Sequence, residues 1–112
     1  MNSPATWPSN ADGDVFRRLE ANDFDFTPEY AIDFNVDFED WPPHRDAVAW
    51  LQSRYREVKV YEPEENFSGY IQFKIHSTLN YTLVMETQAE ATTQMQKHNG
   101  VCETWGVMQP AL

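Results

Sequence analysis

At 112 residues the chain has room for one domain, and folding at this size buries roughly 65% of the unfolded surface. A hydrophobic fraction of 41%, with four Trp, five Tyr and seven Phe, excludes a chain disordered by composition, and no run approaches the roughly 18 apolar residues of a membrane span. Eighteen acids against eight Lys and Arg give a formal net charge of −10, which excludes direct nucleic-acid binding, because such affinity comes largely from cations neutralising phosphates.

Residues 1–11, with Pro4, Pro8, Ser3, Ser9 and Asn10, read as a flexible arm anchored only by Trp7. Asp12 is a candidate N-cap for a short helix ending near Asn22, with Val15, Phe16 and Leu19 on one face and Asp14 suited to the helix dipole. Phe24 and Phe26 alternate with Asp23 and Asp25 in the connection that follows. Ile32, Phe34, Val36 and Phe38 then alternate with Asp33, Asn35 and Asp37, the period-two pattern of a strand with one face buried. Pro42 and Pro43 end that strand and are expected to open a helix running to about Tyr55, with Ala47, Trp50, Leu51 and Tyr55 facing inward. A strand near residues 57–61 and a Glu-, Pro- and Gly-rich loop at 62–69 come next. In the strand at 70–76, Ile71, Phe73 and Ile75 alternate with Tyr70, Gln72, Lys74 and His76. A longer helix starts at Asn80 or Thr82 and reaches His98, with Tyr81, Val84, Met85, Gln88, Ala91 and Met95 inward and Asn99-Gly100 as its stop. The last strand is 101–107, and residues 109–112 form a short tail.

The order is a helix followed by β-α-β-β-α-β. Right-handed crossovers around a central hairpin lead to an α+β, ferredoxin-like two-layer sandwich with an extra N-terminal helix and an antiparallel four-stranded sheet. The expected domain spans residues 12–108. Both long helices cover one sheet face. On the other face Asp33, Asn35, Asp37, Tyr70, Gln72, Lys74, His76, Glu103 and Trp105 are expected to lie together. That face is either open or covered by the first helix, the arm or a second subunit. If it is covered, through Phe16 or Trp7, Trp105 belongs to the core.

The chemistry available is limited. Asn10, Asp12 and Gly13 mimic part of a calcium loop, but Pro8 and Leu19 fall where carboxylates are required. His44, His76, His98 and Cys102 lack close-spaced ligand pairs except His98 with Cys102, and two ligands do not make a zinc site. Cys102 has no disulfide partner and no neighbouring cation to activate it, so it reads as a packed strand residue. Asp33, Asp37 and Glu103 on adjacent strands can be drawn as a paired-carboxylate acid–base site, yet on an open face they are solvated. No metal, no cofactor and no catalytic residue is assigned. What remains is acid concentrated early, ten acids and two arginines in residues 1–40, which would steer in a basic protein segment. With carboxylates and aromatic rings both suited to arginine, Asp33, Asp37, Tyr70, Glu103 and Trp105 are the candidate partner-binding residues.

Asp12-Gly13-Asp14-Val15-Phe16-Arg17-Arg18-Leu19, the alternating strand after it, and the closing Gly100…Glu103-Thr104-Trp105-Gly106 resemble the RraB family, over roughly residues 12–108. The family's closing motif is closer to Tyr-Asp-Gly-Trp-Gly, and Cys102, Glu103 and Thr104 stand here in its first three places. The resemblance implies a small acidic α+β protein that is not an enzyme and that inhibits ribonuclease E by binding it. The expected function is thus a cytoplasmic regulator of RNA degradation, binding a basic protein segment such as that of a ribonuclease, with no membrane contact. Two other readings stand beside it. One is a small-ligand-binding or catalytic ferredoxin-like domain, and the other an immunity-type protein neutralising a basic toxin.

Overall fold

A computed structural model of the chain describes residues 11–107. The arm (Ala11 excepted), its Trp7 and the tail at 109–112 lie outside the described residues. The organising strand is β1 (Glu29–Phe38), three residues longer at its start than the alternation alone predicts. Its Ile32, Phe34 and Val36 are fully buried. Around it come α1 (Ala11–Ala21), α2 (Arg45–Arg54), β2 (Arg56–Tyr61), β3 (Tyr70–Thr78), α3 (Tyr81–Met95) with a 3-10 turn at Gln96–His98, and β4 (Gly100–Val107). All strand pairs are antiparallel and the sheet order is β2-β3-β1-β4, the order of a ferredoxin-like sandwich.

The inner faces of the strands and the buried sides of all three helices form one core. Phe34 stacks on Phe73 with centroids 5.3 Å apart, and Tyr55 stacks on Phe73 at 3.8 Å. Phe16 carries α1 into the same core against Phe26, Tyr81 and Trp105. The first helix therefore lies on the helical side of the sheet, and no described helix covers the opposite face.

Local chemistry explains the boundaries. The two prolines end β1, but α2 begins only at Arg45, where the His44 Nδ1 accepts the Asp46 N–H at 3.0 Å and caps the helix. Asn80 caps α3 by accepting the Leu83 N–H at 2.7 Å. At the other end Asn99 takes the left-handed conformation (φ 61°), a role asparagine tolerates. Gly100 serves close packing instead, since a Cβ there would stand 2.7 Å from the Phe38 ring.

The seam between α2 and α3 is closed by charge. Arg54 meets Glu90 through Nε at 2.9 Å and Nη2 at 3.0 Å, and the Tyr55 hydroxyl donates to the same carboxylate at 2.6 Å. Arg54 first, then Tyr55, holds the Glu90 carboxyl below the usual range. A carboxylate with a depressed pKa contributes stability that is present above its unfolded value and is lost as pH falls through its folded one. Glu90→Gln should therefore lower stability at neutral pH by about 1 kcal/mol, the pair being half-exposed and screened. Its deficit should vanish in strongly acid solution. Urea denaturation at a series of pH values checks both.

Candidate functional site: the open face of the sheet

Register decides which side chains share the open face. Three cross-strand rows can be followed from β2 to β4: Tyr61–Tyr70–Asp37–Val101, Lys59–Gln72–Asn35–Thr104, and Arg56–Lys74–Asp33–Gly106. Two irregularities make this alignment. One in β2 lies between Arg56 and Lys59, where Glu57 has φ 51°. The other lies in β4, where Val36 pairs with Cys102 but Asn35 pairs with Thr104, leaving Glu103 as the extra residue of a bulge.

The β4 bulge corrects the placement of Trp105. Simple alternation would put it on the open face beside Glu103; the inserted residue shifts the parity, and Trp105 pairs with the inward Phe34 instead. Its ring lies 5.4 Å from Phe16, and its Nε1 donates to the Asp12 carboxylate at 2.8 Å. Asp12, expected as a helix cap, sits within the first turn of α1 and ties that helix to the sheet. The bulge is held from α3: the Cys102 N–H donates to the Thr92 hydroxyl oxygen at 2.9 Å, and that hydroxyl lies 3.3 Å from the Cys102 carbonyl. Cys102 is buried, and burial pushes its thiol up to about 12, an inert group.

The rest of the face divides into two halves. In one, most polar groups are already matched, although Arg56 and Lys59 of β2 have no acidic partner among the described residues. Lys74 Nζ lies 2.6 Å from Asp33, with both side chains largely shielded, and His76 Nε2 lies 2.7 Å from Glu57. Gln72 donates to Asn35 at 3.2 Å, and Asn35 donates to Thr104 at 3.2 Å. Asp33 is thus spent within the sheet and offers little charge to a partner.

The other half is unmatched. Asp37 lies opposite Tyr70, whose ring stacks on Tyr61 at 4.8 Å and 14°. Among the described residues no cation pairs with Asp37 or Glu103. The Asp37 carboxyl is pushed above its ordinary value, first by partial burial and then by the Glu103 charge. Beside it a recess of about 360 Å³ is lined by Asp37, Glu39, Gln96, Asn99 and Val101, among others. The structure therefore brings Asp37, Tyr70 and Glu103 to one end of the face, leaves Asp33 in the neutralised half, and removes Trp105. Tyr61 is the residue that sequence reasoning missed. The only signal for the bulge was Glu103-Thr104, two polar residues between the apolar Cys102 and Trp105, which breaks the alternation.

Catalytic and metal chemistry finds little geometry here. His76 is paired with Glu57 and sits at the far end of the face from Asp37. Among the described residues no group of three or more His, Cys, Asp or Glu is placed to hold a metal ion. A cavity of about 370 Å³ opens between the end of α2, β3 and α3, lined by Arg54, Arg56, Lys74, Thr87, Glu86 and Glu90 with Tyr55, Ile75 and Leu83. Its charges largely cancel, Arg54 against Glu90 and Lys74 against Asp33. Among the described residues, no helix is long and apolar enough to cross a membrane.

No curated protein matches the chain in sequence. The sequence profile of the RraB family, described as Regulator of ribonuclease activity B, matches residues 9–107 of the 112. With nearly the whole chain covered, this protein belongs to the RraB family.

Proposed function

We propose that the chain is a non-enzymatic, cytoplasmic regulator that inhibits a ribonuclease of the ribonuclease E type by binding a basic segment of it. Family membership supports a regulator of ribonuclease activity. The observation that carries the binding mode is the unmatched end of the sheet face, where Asp37 and Glu103 repel each other beside the stacked Tyr61 and Tyr70. Two carboxylates with no cation beside them among the described residues, next to the exposed Tyr61 stacked on a half-buried Tyr70, suit an arginine side chain. The guanidinium would bond the acids and stack on the tyrosines. Asp37, Glu103, Tyr70 and Tyr61 are the residues assigned to this contact. RNA itself is repelled by a chain of net charge −10, so inhibition would act through the enzyme.

The test is titration calorimetry of the protein against an arginine-rich segment of a ribonuclease, at low and at high salt, alongside an RNA-cleavage assay with the intact enzyme. Binding that weakens as salt rises, with cleavage slowed in proportion to occupancy, is the expected result. Binding indifferent to salt, or cleavage unaffected at saturation, would refute the reading.

A further inference from the structure

The cavity of about 370 Å³ between the end of α2, β3 and α3 takes no part in the partner contact, and its polar lining does not cancel completely. Glu90 is satisfied, since Arg54 and the Tyr55 hydroxyl engage both of its carboxylate oxygens. Lys74 is held by Asp33. Two charges of the lining then remain, Arg56 at the start of β2 and Glu86 on α3. Among the described residues neither side chain has an ion-pair or hydrogen-bond partner, and they are not paired with each other.

A third polar group is also unmet. Thr87 lines the cavity and is only 6% exposed, yet its hydroxyl makes no hydrogen bond to any described residue. Buried polar groups without a partner are rare in native folds, so this one calls for a ligand to meet it. The rest of the lining is apolar: the buried Tyr55 with the half-buried Ile75 and Leu83.

One free cation, one free carboxylate and a buried hydroxyl beside an apolar wall describe the complement of a small zwitterion. We infer that this cavity binds a free α-amino acid with an apolar side chain. Arg56 takes the carboxylate and Glu86 the ammonium, both as charge-assisted hydrogen bonds. The Thr87 hydroxyl, able to donate or to accept, completes the polar set. The side chain of the ligand lies on Ile75 and Leu83. Small-molecule sites run from roughly 300 to 1,000 Å³, and a cavity near the bottom of that range suits a single amino acid better than a nucleotide. Charge points the same way, because a zwitterion is not repelled by a chain of net charge −10, whereas a phosphate or a simple carboxylate is. The site lies by the Arg56–Lys74–Asp33 row, at the opposite end of the sheet from Asp37, so it stands apart from the ribonuclease contact.

The probes are leucine, methionine and phenylalanine, titrated into isotopically labelled protein and followed by NMR, with thermal melts alongside. Saturable shifts are expected at Arg56, Ile75, Leu83 and Thr87, with a melting temperature that rises with ligand concentration. Two fragments of leucine test its charges: isocaproate lacks the ammonium and isoamylamine lacks the carboxylate. Each should bind about tenfold more weakly than leucine. Arg56→Gln should erase the preference for leucine over the amine, and Glu86→Gln the preference over the acid. Thr87→Val keeps the shape of the side chain and should weaken leucine binding about threefold while raising the melting temperature of the free protein, because an unmet hydroxyl is removed. A threonine with only a packing role would not give that pair of effects. Arg56 and Glu86 are exposed, so their variants should fold whatever the valine variant does. Absence of saturable binding by all three amino acids, a fragment that binds as tightly as leucine, or parental affinity in both charge variants overturns the site. Shifts confined to the Asp37 row overturn it as well, while leaving the proposed function standing.

Discussion

Replacing Trp105 by alanine should destabilise the protein by roughly 3 kcal/mol, the low end for removing a buried aromatic because part of the ring reaches solvent. In a chain of this size that shift lowers the melting temperature by well over 10 °C. The loss has two parts. The ring fills the space between Phe34 on β1 and Phe16 on α1, and its N–H is matched to Asp12. Asp12→Ala should cost about 1–2 kcal/mol, since it leaves the indole N–H and the Gln88 amide (3.5 Å from Asp12) without their acceptor. A double-mutant cycle on Trp105 and Asp12 should show clear coupling, because the hydrogen bond can be lost only once. Were Trp105 instead a surface contact for a partner, its removal would leave chemical denaturation unchanged and weaken binding alone. Denaturation and binding measured on the same variant separate these outcomes.

The acid pair on the open face should behave in the opposite way. Asp37→Asn with Glu103→Gln should stabilise the fold, by about 0.5 kcal/mol, while weakening a basic ribonuclease segment about tenfold, ~1.4 kcal/mol. The sign follows from the raised Asp37 pKa. A carboxyl that holds its proton more tightly in the folded state than in the unfolded one gains stability as pH falls from its folded value toward its unfolded value. At neutral pH its ionised form is a cost. Removing both charges removes that cost, and the difference between variant and parent should shrink as the solution is acidified through the carboxylate range. Stability gained together with binding lost is the signature of a site kept for function at the expense of the fold. Thermal melts at several pH values and calorimetry with the segment measure the two halves. A double variant that is less stable, or that binds as tightly as the parent, would remove Asp37 and Glu103 from the contact.

Both predictions turn on facts of unequal visibility in the chain. The alternation from Ile32 to Phe38 identifies a half-buried strand with no knowledge of its neighbours, because side-chain period is a local property. The caps at Asn80 and Asn99 are local too, and so the limits of α3 follow closely from residue types. The order of elements and the handedness of crossovers then leave few topologies, and the ferredoxin-like order is among them. The start of α2 is missed by a few residues, since a histidine side chain makes the cap there in place of the prolines expected to open the helix.

Which residues meet across the sheet is another matter. Period-two patterning assigns Asp33, Asp37, Glu103 and Trp105 to one face only while the period is unbroken, and a single extra residue at Glu103 reverses everything after it. Pairing also decides that Lys74 neutralises Asp33 and that no cation among the described residues neutralises Asp37, two aspartates the sequence cannot tell apart. Strand identity, core composition and an acidic surplus were therefore written in the amino-acid order. Register, the bulge held by Thr92, the docking of α1 on the helical side and the surviving charge at one end of the face came only with the fold, because each depends on contacts between residues tens of positions apart.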